Sequence, residues 1–244
     1  MKKTTCFFAP LLPFLLLSSC VILSAQTPNN AELHAQFDQI GKAQRPSTVP
    51  NFDTRYEGVL GSRFTIEVYN KGEIWLTDGR HYTTELQYRF DEIENSVQVK
   101  YPEGKELLLF NNYVLKCHIS QKDTTIIYLK ALIEGEKDVH KLYQVLYDGK
   151  KYTLLKLPTR KIIHIDEKTA LTIGRLYDQI TPVFHYYFKT DDKIFKEIKR
   201  GKKDILKAFS SKKMVLENLF KTPQYEGDLD DKKLVALFQY LEEH

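Results

Sequence analysis

The sequence contains little cysteine, and most of it lies near the N-terminus. Cys6 and Cys20 belong to an apolar leader, so Cys117 is the only cysteine in the body of the chain. A single thiol cannot form an intrachain disulfide, and the fold must therefore depend on its hydrophobic core. We interpret Cys117 as a buried structural thiol, because no nucleophile-turn motif surrounds it.

Neither sign of charge dominates the chain. Its 36 lysines and arginines face 32 aspartates and glutamates, for a formal net charge of +4. Two of those lysines lie in the leader, which leaves about +2 on the rest of the chain. A nucleic-acid-binding domain normally has a strong basic excess, so the composition argues against a nucleic-acid partner.

Motifs that carry chemistry are also missing. The sequence has no His-Glu-x-x-His, no cysteine pair spaced for zinc, no Walker loop, no Gly-x-Gly-x-x-Gly and no Gly-x-Ser-x-Gly. Its histidines are scattered and form no local metal-binding pair, and its paired acids lie on turns where they are solvated. We therefore predict no catalytic, metal-binding or cofactor-binding residues, and the sequence favours a non-catalytic protein.

A long apolar stretch occurs only at the N-terminus. Two lysines at positions 2 and 3 precede an apolar run over residues 7–17, which two prolines interrupt. Small residues then lead to Ser24-Ala25, before Gln26. This pattern is typical of a bacterial export signal and is too short and too broken for a membrane span. We predict a signal peptide over residues 1–25 and an exported protein that is periplasmic, associated with the outer membrane, or secreted.

The same leader also fits a lipoprotein signal. Leu17-Ser-Ser-Cys20 resembles a lipobox, in which Cys20 would carry a lipid anchor. The segment stays apolar through Val21-Ile-Leu23, whereas a lipoprotein usually turns polar directly after its cysteine. We favour simple secretion. Contact with a membrane is expected only through such an anchor.

Residues 51–200 alternate strand-like runs with turn residues. Between Tyr82 and Phe90, large apolar residues alternate with polar ones, which is the pattern of a strand with one buried face. Strand-like runs, which include residues 64–70 and 81–90, recur at a spacing of about 8–12 residues. The sequence predicts a mainly β protein built as an antiparallel meander, a sandwich or an open barrel.

Two Asp-Gly dipeptides mark hairpin turns at Asp78-Gly79 and Asp148-Gly149. We predict a type I′ turn at the first, which requires a positive φ at both central residues. Both dipeptides lie in the pattern Leu-x-Asp-Gly-basic-x-Tyr-Thr, over residues 76–83 and 146–153. The repeat could mark two similar β lobes, but we favour independent recurrence of the same hairpin chemistry.

Helices are predicted on both sides of the β region. Residues 26–50 form a short amphipathic helix followed by a Pro-containing linker, and residues 201–244 show helical periodicity. Asp228 is predicted to cap the last helix, which would bury Leu234, Leu237, Phe238 and Leu241. We interpret the lysines and aspartates of this tail as a solvated face.

Three aromatic or imidazole side chains are weak candidates for a ligand-facing site: Trp75, His185 and Tyr187. Trp75 is the only tryptophan, and we favour a role as a core anchor over a ligand platform. Strand alternation places His185 on the same face as Tyr187, where a sheet-face histidine is the simpler interpretation.

A group of residues resembles a family of uncharacterised exported β-rich proteins common in Bacteroidota. The matching text includes Tyr56-Glu-Gly-Val-Leu-Gly-Ser62, Trp75, Asp78-Gly79 and Leu86-Gln-Tyr88, and in the tail Ile205-Leu206 and Leu234-Val235. These are turn glycines and core aromatics. The resemblance implies an envelope or secreted location in a Gram-negative host and implies no activity.

Three functions agree with this sequence. The first and favoured one is an exported, non-catalytic envelope or binding protein, whose partner would be an envelope protein or a small apolar ligand. The second is a barrel-type carrier of a lipid or another apolar ligand, which predicts an uncharged cavity of hundreds of Å³. The third is a hydrolase with a dispersed site, which predicts a cleft where His118, His164 or His185 meets a carboxylate.

Overall fold

Eleven strands form one open antiparallel sheet. Two runs of strands that are consecutive in the sequence, the third to the fifth and the sixth to the eleventh, make up most of it, and the first strand lies between the third and the sixth. The computed structural model describes residues 56, 58–83, 86–165, 177–190 and 194–244. The spatial order is β11-β10-β9-β8-β7-β6-β1-β3-β4-β5, with β2 paired to β1. The strands are β1 (Asn70–Leu76), β2 (His81–Tyr82), β3 (Gln87–Asp91), β4 (Ser96–Lys100), β5 (Glu106–Leu109), β6 (Val114–Gln121), β7 (Thr124–Lys130), β8 (Leu142–Asp148), β9 (Thr153–Ile163), β10 (Gln179–Lys189) and β11 (Lys196–Ile198).

Three α-helices follow the sheet: α1 (Lys202–Ala208), α2 (Lys213–Leu219) and α3 (Asp231–Glu243). The predicted mainly β fold with a helical C-terminal segment is therefore confirmed, and of the three predicted sheet forms the structure has a meander-like open sheet. The predicted signal peptide, Cys20, N-terminal helix and linker lie outside the described residues. None of the helices in the described part of the chain is both long and apolar enough to cross a membrane.

Strand β1 joins the two runs of consecutive strands. Residues Gly72 to Leu76 pair with β6, while the opposite edge of β1 pairs first with β3 and then with β2. The backbones approach closely here: a Cβ atom on Gly72 would lie 2.1 Å from the carbonyl oxygen of His118. Only glycine fits at this crossing.

One face of the sheet, which we call the cap face, is covered by the helices at its β8–β11 end. Ladder partners place Ile74, Cys117, Tyr128, Lys156 and Tyr186 on this face, because directly opposite residues project to the same side. At the β8–β11 end the helices bury a shared core against it, and its largest side chains are Tyr152, Tyr186, Phe188, Phe209, Tyr225 and Phe238. Four residues of α3 are fully buried there: Leu234, Leu237, Phe238 and Leu241.

The opposite face, the Trp face, carries Trp75, Lys116, Leu129 and Tyr143 in one cross-strand row. A second core lies on this face, formed by Tyr143, Leu155, Leu157, Tyr187 and Phe195. Tyr143 and Tyr187 meet edge to face there, with ring centroids 5.4 Å apart. The region of β8–β10 thus has apolar side chains on both faces, which explains its long buried run of residues.

The sheet is strongly curved over the cap face. Phe90 of β3 stacks on Tyr128 of β7 with ring centroids 4.1 Å apart, although two other strands lie between β3 and β7. At the end of β3, Glu92 accepts a hydrogen bond from Arg160 of β9 at 2.5 Å. Strands spaced about 4.8 Å apart could make neither contact in a flat sheet. The β3–β4 turn therefore folds back onto β7–β9.

Two segments differ from the strands expected from alternation. Residues 64–70, read as a strand, form only an isolated bridge at Phe64 and the first residue of β1. The predicted strand 81–90 is divided between β2 and β3. Both strands pair with β1, but at different places along it. The single alternating segment 81–90 therefore contributes two separate strands.

The two Asp-Gly turns have different conformations. Only Gly79 has a positive φ (+90°) at the first turn, so the predicted type I′ turn is not formed. Leu76 and Arg80 close a three-residue loop instead, and the Asp78 carboxylate accepts the Arg80 backbone N–H at 3.1 Å. At the second turn, Gly149 makes room for Glu242 of α3, whose carboxylate accepts the Lys151 backbone N–H at 2.8 Å.

Candidate functional site

Five side chains gather on the Trp face where β1, β2 and β6 meet, and we call them the Trp75 patch: Glu73, Trp75, His81, Lys116 and His118. The ladder explains the grouping. Trp75 lies opposite His81 on one side and opposite Lys116 on the other, while Glu73 lies opposite His118. Directly opposite side chains share a face and lie within contact distance.

Aromatic stacking organises the patch. The ring of His81 stacks on Trp75 with centroids 4.2 Å apart and planes 10° from parallel. His118 meets the indole edge to face at 4.5 Å, and the Lys116 ammonium lies 5.0 Å from the indole centroid. Trp75 is half-buried, so it is neither a fully buried core residue nor a freely exposed side chain. The core on this part of the sheet is formed by Ile74 and Leu76, on the opposite face.

His118 is the polar centre of the patch. Its Nε2 atom is buried and has no hydrogen-bond partner among the described residues. Burial and the nearby Lys116 ammonium lower the pKa of His118 below its ordinary value, because both disfavour the imidazolium. The patch therefore holds a neutral imidazole with an unused ring nitrogen beside an indole. Such a nitrogen can accept or donate one hydrogen bond to a bound group.

The outer surface of the patch is open to solvent. His81 is 38% exposed and Glu73 is 44% exposed, and they approach each other at 3.4 Å. A ligand can therefore reach the free side of the His81 ring and the Glu73 carboxylate without displacing any part of the sheet.

The three side chains singled out from the sequence do not meet. All lie on the Trp face, since His185 pairs with Leu157 and Tyr187 pairs with Leu155 of the second core. Four strands separate β1 from β10, which corresponds to roughly 24 Å in a flat sheet. Tyr187 is buried, and burial together with the charge of Glu197 raises its pKa to about 12. Trp75 thus has its own partners, separate from those of His185 and Tyr187.

Two other histidines meet carboxylates at the surface. His164 Nδ1 lies 2.6 Å from Asp178, and His185 Nδ1 lies 3.1 Å from Glu197. His164 is 78% exposed and His185 is 42% exposed. Among the described residues, neither pair is hydrogen-bonded to a serine, threonine or cysteine side chain, so neither forms a nucleophile–base pair.

Cys117, the one described cysteine, lies in surroundings that disfavour a nucleophilic thiolate. Cys117 is fully buried on the cap face, and burial raises the pKa of its thiol. Its neighbour in sequence, His118, points to the other face of the sheet, since residues alternate along β6. The thiol is therefore a core side chain.

Three ion pairs, each with at least one buried partner, hold the fold together. Arg63 binds Asp91, Arg160 binds Glu92, and Lys156 binds Asp231 at 2.6 Å. The Tyr186 hydroxyl donates to the other oxygen of Asp231 at 2.7 Å. Burial raises the pKa of Glu92 even though Arg160 opposes this. The Arg160–Glu92 pair ties the β3–β4 turn to β9, and the Lys156–Asp231 pair ties the first turn of α3 to β9. Each of these charges already has a partner.

One depression lies between the start of the described chain and the strands β3, β6 and β7. This narrow depression of about 180 Å³ is lined by Thr65, Ile66, Arg89, Phe90, Ile119 and Tyr128 and has no interior room for a water molecule. No group of three or more histidine, cysteine or carboxylate side chains in this part of the chain could hold a metal ion.

No protein-family model, curated protein or solved structure matches the chain.

Part of the Trp75 patch could have been found from the sequence. A three-residue loop at Thr77-Asp78-Gly79 places Trp75 opposite His81 by simple counting along the hairpin. His118 could not be found in this way. Its place beside Trp75 depends on the pairing of β1 with β6, which lie about 40 residues apart and have no local signal for each other.

Proposed function

We propose that this chain is an exported, non-catalytic binding protein of the bacterial cell envelope and that the Trp75 patch is its binding surface. The single observation that supports the binding role is the unpartnered, buried Nε2 of His118 beside a half-exposed indole. A buried polar atom without a partner costs free energy, so a site that keeps one is a candidate for completion by a ligand.

The chemistry of the patch suits a ligand with a flat apolar side and hydroxyl or amide groups. The stacked rings of Trp75 and His81 offer the apolar contact. Glu73 offers a hydrogen bond at the exposed edge of the patch, and His118 offers one from its buried side. Sugar rings of envelope glycans have this combination. The export signal over residues 1–25, the N-terminal helix and the resemblance to exported Bacteroidota proteins belong to the same proposal.

The two other functions stay predictions with less support. An apolar carrier needs an uncharged cavity of hundreds of Å³, whereas the described depression is smaller and has Arg89 in its lining. A hydrolase needs an activated nucleophile, and the His164 and His185 pairs have none bonded to them among the described residues.

Because Trp75 is the only tryptophan, its fluorescence reports on the patch directly. We expect a soluble N-acetylglucosamine oligomer to produce a saturable change in this fluorescence. The variant His118→Gln should weaken binding about tenfold, because a hydrogen bond to a buried group is worth about 1–1.5 kcal/mol. The control His140→Gln, at an exposed loop position, should bind normally.

The titration distinguishes the proposed binding surface from an apolar carrier. A short-chain phospholipid that alters the fluorescence where the oligosaccharide does not would support the carrier. No saturable change with either probe, or equal binding by wild type and His118→Gln, would contradict the proposed site.

A further inference from the structure

Positive charge is concentrated between β11 and α2. Residues 194–214 carry eight lysines and arginines against two carboxylates, a net charge of +6, whereas the whole chain carries +4. The remainder of the chain is therefore slightly acidic. We call the exposed lysines of this region the basic surface: Lys196, Lys199, Lys203, Lys207 and Lys213.

The fold brings these lysines together. Ile205 and Phe209 bury one side of α1 in the core, which leaves Lys203 and Lys207, one turn apart, on the opposite side. Helix α1 also contacts both β11 and α2. Lys196 lies on β11 and Lys213 begins α2, so both belong to elements that contact α1.

Most of these charges are not neutralised. Lys213 approaches Glu217 at 3.8 Å, but Lys196, Lys199, Lys203 and Lys207 have no carboxylate partner among the described residues. The two carboxylates of the region do not pair with these lysines. Glu197 binds His185, and the Asp204 carboxylate folds back toward Gly201 at the start of α1. The basic surface thus offers four free ammonium groups in a segment of twelve residues.

An apolar side chain projects beside these cations. Met214 is 78% exposed, the highest value among the large apolar residues that are exposed in the described chain. It follows Lys213 directly, on the first turn of α2. Cations around a projecting apolar side chain are the arrangement that binds the interface of an anionic bilayer.

We propose that the basic surface docks on a bilayer that carries anionic phospholipids, with Met214 entering the headgroup region. The lysines contact lipid phosphates, and the rest of the chain, with its acidic balance, stays away from the bilayer. Export and Met214 favour a membrane over a nucleic acid. The sequence alone predicts a solvated face here and a membrane contact only through a Cys20 anchor. The docking surface shares with the proposed function only its location, because it contains no residue of the Trp75 patch.

Vesicle co-sedimentation tests the docking. The chain that begins at Gln26 has no lipid anchor, so any binding reports on the protein surface. It should bind vesicles of equal parts phosphatidylglycerol and phosphatidylcholine, should fail to bind vesicles of phosphatidylcholine alone, and should dissociate in high salt. Each lysine near an anionic surface contributes about fivefold in partitioning, so Lys199→Glu, Lys203→Glu and Lys207→Glu together should weaken binding at least about 100-fold.

A matched triple variant controls for net charge. Lys137→Glu, Lys150→Glu and Lys161→Glu change exposed lysines outside the basic surface by the same amount. This variant should lose much less binding than the first. Met214→Ser should weaken binding several-fold, while Leu132→Ser, at another exposed apolar position, should not.

Three results would overturn the docking surface: equal binding to both kinds of vesicle, equal losses in the two triple variants, or binding of a soluble polyanion such as dextran sulfate in place of the vesicles. Fluorescence titration of Trp75 in the same variants separates this proposal from the previous one. Docking can fail while the Trp75 patch still binds its ligand, and the reverse also holds.

Discussion

At the level of single residues, His118 combines a buried ring nitrogen, a neighbouring ammonium group and an indole that it meets edge to face. Burial lowers the pKa of His118 from its ordinary value of 6.5 in the folded chain. In the unfolded chain the imidazole is solvated and takes up a proton at a higher pH. The two states therefore bind different numbers of protons in the window between the lowered pKa and 6.5.

This difference predicts a loss of stability in mild acid. Since the unfolded chain is protonated first, the contribution of His118 is fully present above pH 6.5 and decreases as the pH falls through the window below it. Replacing His118 by glutamine should flatten this part of the pH dependence of the free energy of unfolding. Urea unfolding, followed at a series of pH values on both sides of 6.5, measures it. Equal slopes for wild type and His118→Gln would contradict the prediction, and His140→Gln is the control.

At the level of elements, the first turn of α3 joins the helix to the sheet. The Asp230 carboxylate accepts the Lys233 backbone N–H at 2.8 Å and caps the helix. The next residue, Asp231, binds Lys156 and Tyr186 of the sheet. The predicted cap at Asp228 was wrong, because the helix begins at Asp231 and Asp228 lies too early in the chain to reach its free N–H groups.

Alanine substitutions at Asp230 and Asp228 test which of the two aspartates caps α3. Asp230→Ala should lower the free energy of unfolding by about 1 kcal/mol, the usual loss for an N-cap carboxylate. Asp228→Ala should change it by less than about 0.5 kcal/mol, as at other exposed positions. Both side chains are exposed, so the pair differs mainly in the capping bond. Equal losses, measured by chemical denaturation, would mean that α3 is capped differently.

Sequence patterns revealed the elements better than their pairings. The apolar residues of α3 and the alternation through Phe90 were readable, because each element carries its own period. The division of residues 81–90 was not readable, since it depends on which residues of β1 pair with β2 and which pair with β3. The half-buried position of Trp75 has the same origin. A large aromatic residue suits either face of a strand, and only the long-range pairing shows that Ile74 and Leu76 take the buried one.

At the level of the whole molecule, the helical cap and the sheet share one core. Leu237 is fully buried among residues of β9, β10, α1 and α3. Leu237→Ala should lower the free energy of unfolding by about 3 kcal/mol, through lost burial and the cavity left behind. Leu132→Ala, at a 61% exposed position, should have little effect.

Two probes show whether this loss spreads across the molecule. Trp75 fluorescence follows β1, and far-ultraviolet circular dichroism follows the helices as well. We expect both transitions to shift together in Leu237→Ala, because α3 has no separate core. A helical transition that precedes the Trp75 transition would show that the cap unfolds independently.

The place of β1 between β6 and β3 has a consequence for the order in which the chain folds. Strands β3–β5 and β6–β11 each follow the chain in sequence, so their contacts are close along the chain and can form early. Pairing Trp75 with Lys116 instead closes a loop of about 40 residues, at a larger entropic cost. The pairing of β1 with β6 is therefore expected to form after the transition state for folding. Ile74→Val should speed unfolding and leave the folding rate nearly unchanged, which stopped-flow measurements of Trp75 fluorescence would detect.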